Sequence, residues 1–134
     1  MRRYDAVFAL LGNLCYLVRP EKEPVLDDLI VFRKIYEYLL WLRPSVLRFA
    51  RVYRFSLGVE SEQSGLRLLR LIIHANYERD KKTRIGQAIV ELEVQRVYIR
   101  LAYEYKCLSE RQFTYANELL AEIMRLLRGW QKSA

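Results

Sequence analysis

Residues able to do covalent or acid–base chemistry are few in this chain, and their spacing is wrong for it. His74 is the single histidine and no glutamate stands three positions before it, so the Glu-x-x-His pairs that build di-metal sites in helical bundles are missing. Cys15 and Cys107 share no Cys-x-x-Cys spacing, which argues against a zinc site or a disulfide scaffold and for two free thiols in a reducing cytosol. Cys107 has no base close in sequence and reads as a structural thiol. Glu91 and Glu93 are two residues apart, so on a helix they diverge and make a poor acid–base pair. No Gly-x-x-x-x-Gly-Lys loop is present to cradle phosphates. The expectation is a protein that is not an enzyme, with no cofactor and no metal.

What the chain does have is surplus positive charge. Its 23 lysines and arginines outnumber 16 acidic residues, for a net charge of +7 and a pI near 9.6, which favours an anionic partner, nucleic acid above all. The cations fall in groups. Arg96 and Arg100 lie one helical turn apart, Arg67 and Arg70 form a second pair, Arg125 and Arg128 a third, and Arg79, Lys81, Lys82 and Arg84 cluster at a turn. The planar guanidinium fork suits phosphate because it donates two hydrogen bonds at once. Arg67, Arg70, Arg79, Lys81, Lys82, Arg84, Arg96 and Arg100 are the candidate nucleic-acid and partner-binding residues. The bland alternative for any one of them is a solvated face laced with salt bridges, such as Arg96 or Arg100 with Glu93 or Glu104. Tyr98, Tyr103 and Tyr105 could stack on bases between the arginines, although tyrosine at helical spacing more often lines a core edge or an interface.

The elements that would position these groups are helices. A chain of 134 residues suits one domain, and scarce Gly (5) and Pro (3) favour long uninterrupted elements. Residues 1–24 form an N-terminal amphipathic segment and connector. Val7, Leu10, Leu11, Leu14, Leu17 and Val18 share a helical face, Arg19-Pro20 stands where a signal peptide would have its cleavage site, and the run is too short to span a bilayer. From residue 25 onward four helices are expected. Asp27 and Asp28 suit the first turn of the first, and Pro44 should end or kink it near Arg43, with helical character resuming through Val46 and Phe49. The second covers about residues 56–76, where the small residues Gly58, Ser61, Ser64 and Gly65 would let another helix approach. The third covers about 83–106 with Asp80 as N-cap. The fourth starts at a Ser109–Gln112 capping box, and Gly129 either marks its end or is tolerated inside the last turn. No run alternates as a half-buried strand does. The fold class is therefore all-α: an antiparallel up-down four-helix bundle over 25–134 with a short extra N-terminal helix.

The third helix is apolar on two sides. Ile85, Ala88, Ile89, Leu92 and Ile99 make one stripe, and Val90, Val94, Val97, Leu101 and Leu108 another about half a turn away. One stripe suffices for a bundle core. The second, through Val90, Val94, Val97 and Leu101, is expected to meet another copy of the chain or a protein partner, unless residues 1–24 fold over it.

Several short segments together resemble a known family: Trp41-Leu42-Arg43-Pro44, Arg54-Phe55-Ser56-Leu57-Gly58, Leu71-Ile72-Ile73-His74-Ala75-Asn76-Tyr77, the run from Leu92 to Ala102, Leu108-Ser109, and Leu127-Arg128-Gly129-Trp130. Their order and spacing over residues 26–132 are similar to the accessory variability (Avd) proteins of diversity-generating retroelements, relatives of the proteins encoded by intervening sequences in ribosomal RNA genes. The resemblance implies a four-helix bundle assembled as a ring-like homopentamer. It also implies a non-catalytic partner of the retroelement reverse transcriptase and its template RNA or RNA/DNA hybrid, supporting mutagenic cDNA synthesis. A cytoplasmic protein with no membrane association is expected from the free thiols and from an N-terminal run too short to span a bilayer. On the family's pattern Arg96 and Arg100 match basic positions of the third helix. The alternative is a structural homo-oligomerisation module, or a ribosomal RNA intervening-sequence-type protein, with no polymerase partner.

Overall fold

The computed structural model describes residues 29–134. The N-terminal segment 1–24, Cys15, and the Asp27–Asp28 helix start expected from sequence all lie outside the described residues. The described residues form an all-helical bundle of four helices: α1 (Ile30–Leu47), α2 (residues 51–77), α3 (Lys81–Glu104) and α4 (Glu110–Ser133). The sharp links fold successive helices back on one another. α2 packs on α3, α3 on α4, and α1 closes the square against α2 and α4.

Each helix turns one apolar stripe inward. Ile35, Tyr38 and Leu42 of α1 meet Leu68 and Ile72 of α2, Ile85, Leu92 and Ile99 of α3, and Leu120, Ile123 and Leu127 of α4, all fully buried. Burial of side chains of this size stabilises by roughly 1.5–3 kcal/mol each. One polar pair sits among them. The Gln95 Nε2 amide of α3 donates to the Tyr38 hydroxyl across the bundle, while Gln95 Oε1 has no partner among the described residues. Burial pushes the Tyr38 phenol well above its ordinary pKa, and the Gln95 contact only partly offsets this.

Both expected caps are formed. The Asp80 side chain accepts from the Thr83 N–H at 3.4 Å and from the Thr83 hydroxyl at 2.7 Å, and these bonds hold its carboxyl below the usual range. The Ser109 Oγ accepts from the Gln112 N–H at 3.2 Å and Gln112 Oε1 accepts from the Ser109 N–H at 2.8 Å. The small residues of α2 also do what their size suggested. A Cβ on Gly58 would lie 2.7 Å from Val46 Cγ1, and one on Gly65 2.7 Å from Leu39 Cδ2, so α1 and α2 approach where side chains are absent.

Four expectations are sharpened or corrected. Pro44 does not end α1 near Arg43; the helix carries on through Val46, where helical character was expected to resume, to Leu47. Proline removes one donor near the helix end, while buried Ser45 and Val46 anchor the last turn in the core. The second helix starts earlier than expected. A first turn (Arg51–Tyr53) passes through a π-helical stretch (Arg54–Gly58) into Val59–Tyr77, and the Ser56 and Ser61 hydroxyls donate to the Val52 and Leu57 carbonyls there. Gly129 does not end α4; it is tolerated inside the helix near its end, the other placement open to it, and the helix continues to Ser133. Leu108 is not on the outer stripe of α3. That helix ends at Glu104, and Leu108 drops from the following turn into the core.

Candidate nucleic-acid and partner interface

The inner stripe of α3 is buried at Ile85, Ala88, Leu92 and Ile99, with Ile89 packed at its edge. At 100° per residue, Val90, Val94, Val97 and Leu101 point to the opposite side. Val90 is 65% exposed and Val97 40%, while Val94 and Leu101 are half-buried. The described residues leave this valine ridge uncovered.

A groove of about 540 Å³ runs beside the ridge, between α3 and α4. Glu93, Arg96, Val97 and Arg100 of α3 line it together with Phe113, Asn117, Glu118 and Ala121 of α4. Arg96 donates to Glu93 at 3.3 Å. No ion pair engages Arg100 among the described residues, so its guanidinium is available to an outside anion. Phe113 stacks on Tyr103, with centroids 4.3 Å apart and planes 9° apart. Sequence reasoning found the arginines of this groove and missed Phe113 and Asn117, which belong to the antiparallel neighbour and share no local motif with them.

The other basic candidates separate into engaged and free. Arg67 Nε donates to Glu91 at 3.3 Å, and the Ser64 hydroxyl donates to the same carboxylate at 2.6 Å, a contact that locks α2 to α3. Lys81 Nζ donates to the carbonyls of Ala75 and Asn76 at 3.0 and 2.8 Å, capping the end of α2. Arg84 grips Glu78 with two bonds of 3.2 and 2.7 Å. The Arg84 contact lowers the Glu78 pKa, and Glu78 in turn raises that of Arg84. Arg70, Arg79 and Lys82 are exposed with no ion pair among the described residues. The structure thus brings Arg96 and Arg100 together in one groove and leaves Arg70, Arg79 and Lys82 as scattered free charges. Arg67, Lys81 and Arg84 serve structure as well as surface charge. Of the tyrosines proposed for stacking, Tyr98 packs on the core edge, and Tyr103 and Tyr105 stack within the chain, Tyr105 on Tyr53 at 4.8 Å.

Chemistry remains thin. Burial raises the pKa of the half-buried Cys107 thiol, which disfavours a nucleophilic thiolate. His74 Nδ1 lies 3.5 Å from Glu78, exposed beside the Arg84 pair. No group of three metal-ligating side chains occurs among the described residues. No described helix is long and apolar enough to cross a membrane. A second concavity, about 260 Å³ between α1 and α2, is lined by Tyr36, Leu39, Leu40, Leu66 and Leu69 and closed by Arg43, which donates to Glu62 at 2.8 and 3.0 Å.

A protein-family model described as bAvd-like matches residues 29–134, the whole of the bundle. No curated protein matches the chain.

Proposed function

The chain belongs to the bAvd-like family, and from that premise we propose that it is a non-catalytic accessory protein of a diversity-generating retroelement, binding the reverse transcriptase and its template RNA or RNA/DNA hybrid to support mutagenic cDNA synthesis in the cytoplasm. The observation that carries this reading is the pairing of an uncovered valine ridge with an arginine groove on one helix, α3. The ridge at Val90, Val94, Val97 and Leu101 joins copies of the chain, with a homopentamer as the assembly. The ring then repeats Arg96 and Arg100 around its circumference, and the summed field draws in polyanions more strongly than one bundle would.

The test is co-purification of the tagged chain with the retroelement's reverse transcriptase and template RNA at low salt, followed by RNA titration of the Arg96→Gln/Arg100→Gln double variant. Retention of both partners, an affinity that falls steeply with salt, and a weakened double variant support the reading. Absence of both partners at low salt contradicts it.

A second reading, an oligomerisation module with no nucleic-acid role, is favoured by one observation. Arg67, Lys81, Arg84 and Arg96 are already engaged within the chain. Unchanged RNA affinity in the double variant supports that reading.

A further inference from the structure

Four arginines, Arg43, Arg48, Arg51 and Arg54, fall in a stretch with no acidic residue between Glu37 and Glu60. The fold gathers three of them at the corner where α1 ends and α2 begins. Arg48 and Arg51 are exposed, with no ion pair among the described residues. Arg54 is half-buried, donates weakly to the Phe49 carbonyl at 3.4 Å, and holds its guanidinium 6.0 Å from the centre of the Phe55 ring. Phe55 is 68% exposed and Val52 beside it 72%. Neither contributes to the core, although both stand in a helix with a well-formed inner face. The π-helical stretch Arg54–Gly58 sits at this corner, and such widened turns concentrate at functional sites.

The turn after α3 adds to the same end of the bundle. Tyr105 stacks on Tyr53 at 4.8 Å with planes 15° apart, and Cys107 is tied to the Ala50 backbone. Between them, Lys106 adopts a left-handed conformation at φ 62° and is exposed.

We infer that this corner is a binding site for single-stranded nucleic acid, with Arg48, Arg51 and Lys106 holding phosphates and Phe55 offering its open face to an unstacked base. The inference rests on the proposed RNA role of the chain and adds a contact separate from the α3–α4 groove. An exposed aromatic ring flanked by unpaired arginines is the arrangement that tracks a backbone while stacking a base. A duplex buries its base faces and so gains from the arginines alone.

The test uses the full chain, a labelled 20-nucleotide oligouridylate and an RNA duplex of equal length, at several salt concentrations. Phe55→Ala should bind the single strand about tenfold more weakly while its duplex affinity stays within about twofold. Arg48→Gln/Arg51→Gln should weaken both and reduce the salt slope on the single strand by about 1.4, from two lost phosphate contacts. Phe55→Trp should keep the affinity and show emission quenching beyond that of the unsubstituted chain. All three positions are exposed or half-buried, so circular dichroism should show the bundle unchanged.

If Phe55→Ala and Arg48→Gln/Arg51→Gln bind both probes as the unsubstituted chain does while Arg96→Gln/Arg100→Gln loses affinity, the corner inference is overturned and the RNA role stands. If the unsubstituted chain ignores both probes at low salt, the two fall together. Loss of reverse transcriptase binding in Phe55→Ala with oligouridylate affinity intact would mark the corner as a protein-docking surface and overturn the inference.

Discussion

Replacing Tyr38 by Phe should destabilise the bundle measurably, although it removes a single oxygen. Tyr38 is fully buried, and its hydroxyl is the acceptor for Gln95 Nε2, the polar contact that bridges α1 and α3. Gln95 Oε1 is already buried without a partner among the described residues. Removing the hydroxyl would strand the other end of the same amide, at a cost of about 1–3 kcal/mol. At about 2.1 cal/mol/K of unfolding entropy per residue, that cost lowers the melting temperature of a chain of this length by roughly 4–11 °C. The double variant Tyr38→Phe/Gln95→Leu removes both partners and keeps their volumes, so it should melt close to the unsubstituted protein, or above it, because the orphaned Oε1 disappears too. Thermal melts followed by circular dichroism at one fixed protein concentration give the cycle, since self-association would otherwise shift each midpoint. A neutral Tyr38→Phe, or a double variant as unstable as the sum of its singles, would refute the reasoning.

The same phenol sets an alkaline limit. Its pKa is raised in the fold and returns to about 10 when unfolded, so its contribution is full below pH 10 and is lost as pH rises beyond it; Tyr38→Phe should flatten the stability curve there in pH-stepped urea melts. In acid, Glu78 acts with the opposite sign: its lowered pKa contributes stability above the ordinary carboxylate range that is lost as pH falls, and Glu78→Gln should remove that dependence. Ser109→Ala should cost about 1 kcal/mol in urea unfolding, because both arms of the capping box go with it. Gly58→Ala should cost about 1–3 kcal/mol and more than Gly65→Ala, since the buried, β-branched Val46 cannot swing away as the Leu39 tip can. Val90→Asp/Val97→Asp should leave the melting of the single bundle nearly unchanged and abolish self-association in sedimentation velocity.

The fold was readable from the sequence wherever a local rule acted alone. The Ser109–Gln112 and Asp80 caps depend on neighbours three residues apart, and both formed. The inner and outer stripes of α3 followed from periodicity, because a helix that buries Leu92 and Ile99 must turn Val90 and Val97 away. Elsewhere tertiary packing overrode a local signal or chose between two readings of it. Pro44 left a stop, a kink or a resumed helix open, and buried Ser45 and Val46 hold the next turn in place. Gly129 could be an end or an interior residue, and packing decides for the interior: Leu127 behind it is buried and Trp130 packs beyond it. Leu108 looked helical by spacing, but the left-handed Lys106 breaks the register before it.

The candidate site was legible as charge and only partly as geometry. The Arg96–Arg100 spacing placed both residues in one groove. Nothing in the spacing of Lys81 or Arg84 distinguished a free cation from one capping α2 or gripping Glu78, because those partners are set by how the α2–α3 turn folds. The acid-free run around Arg48, Arg51 and Arg54 was visible in the sequence. Its meaning depended on Phe55, within the π-helical stretch, being left outside the core.

The account depends on α3 being a surface built for company. Light scattering on the eluting full chain, with labelled template RNA in the same run at low salt, tests this most directly. The account predicts a particle near five times the 16.1 kDa chain mass that carries the RNA with it. A 16.1 kDa particle at every concentration, eluting apart from the RNA, would contradict it.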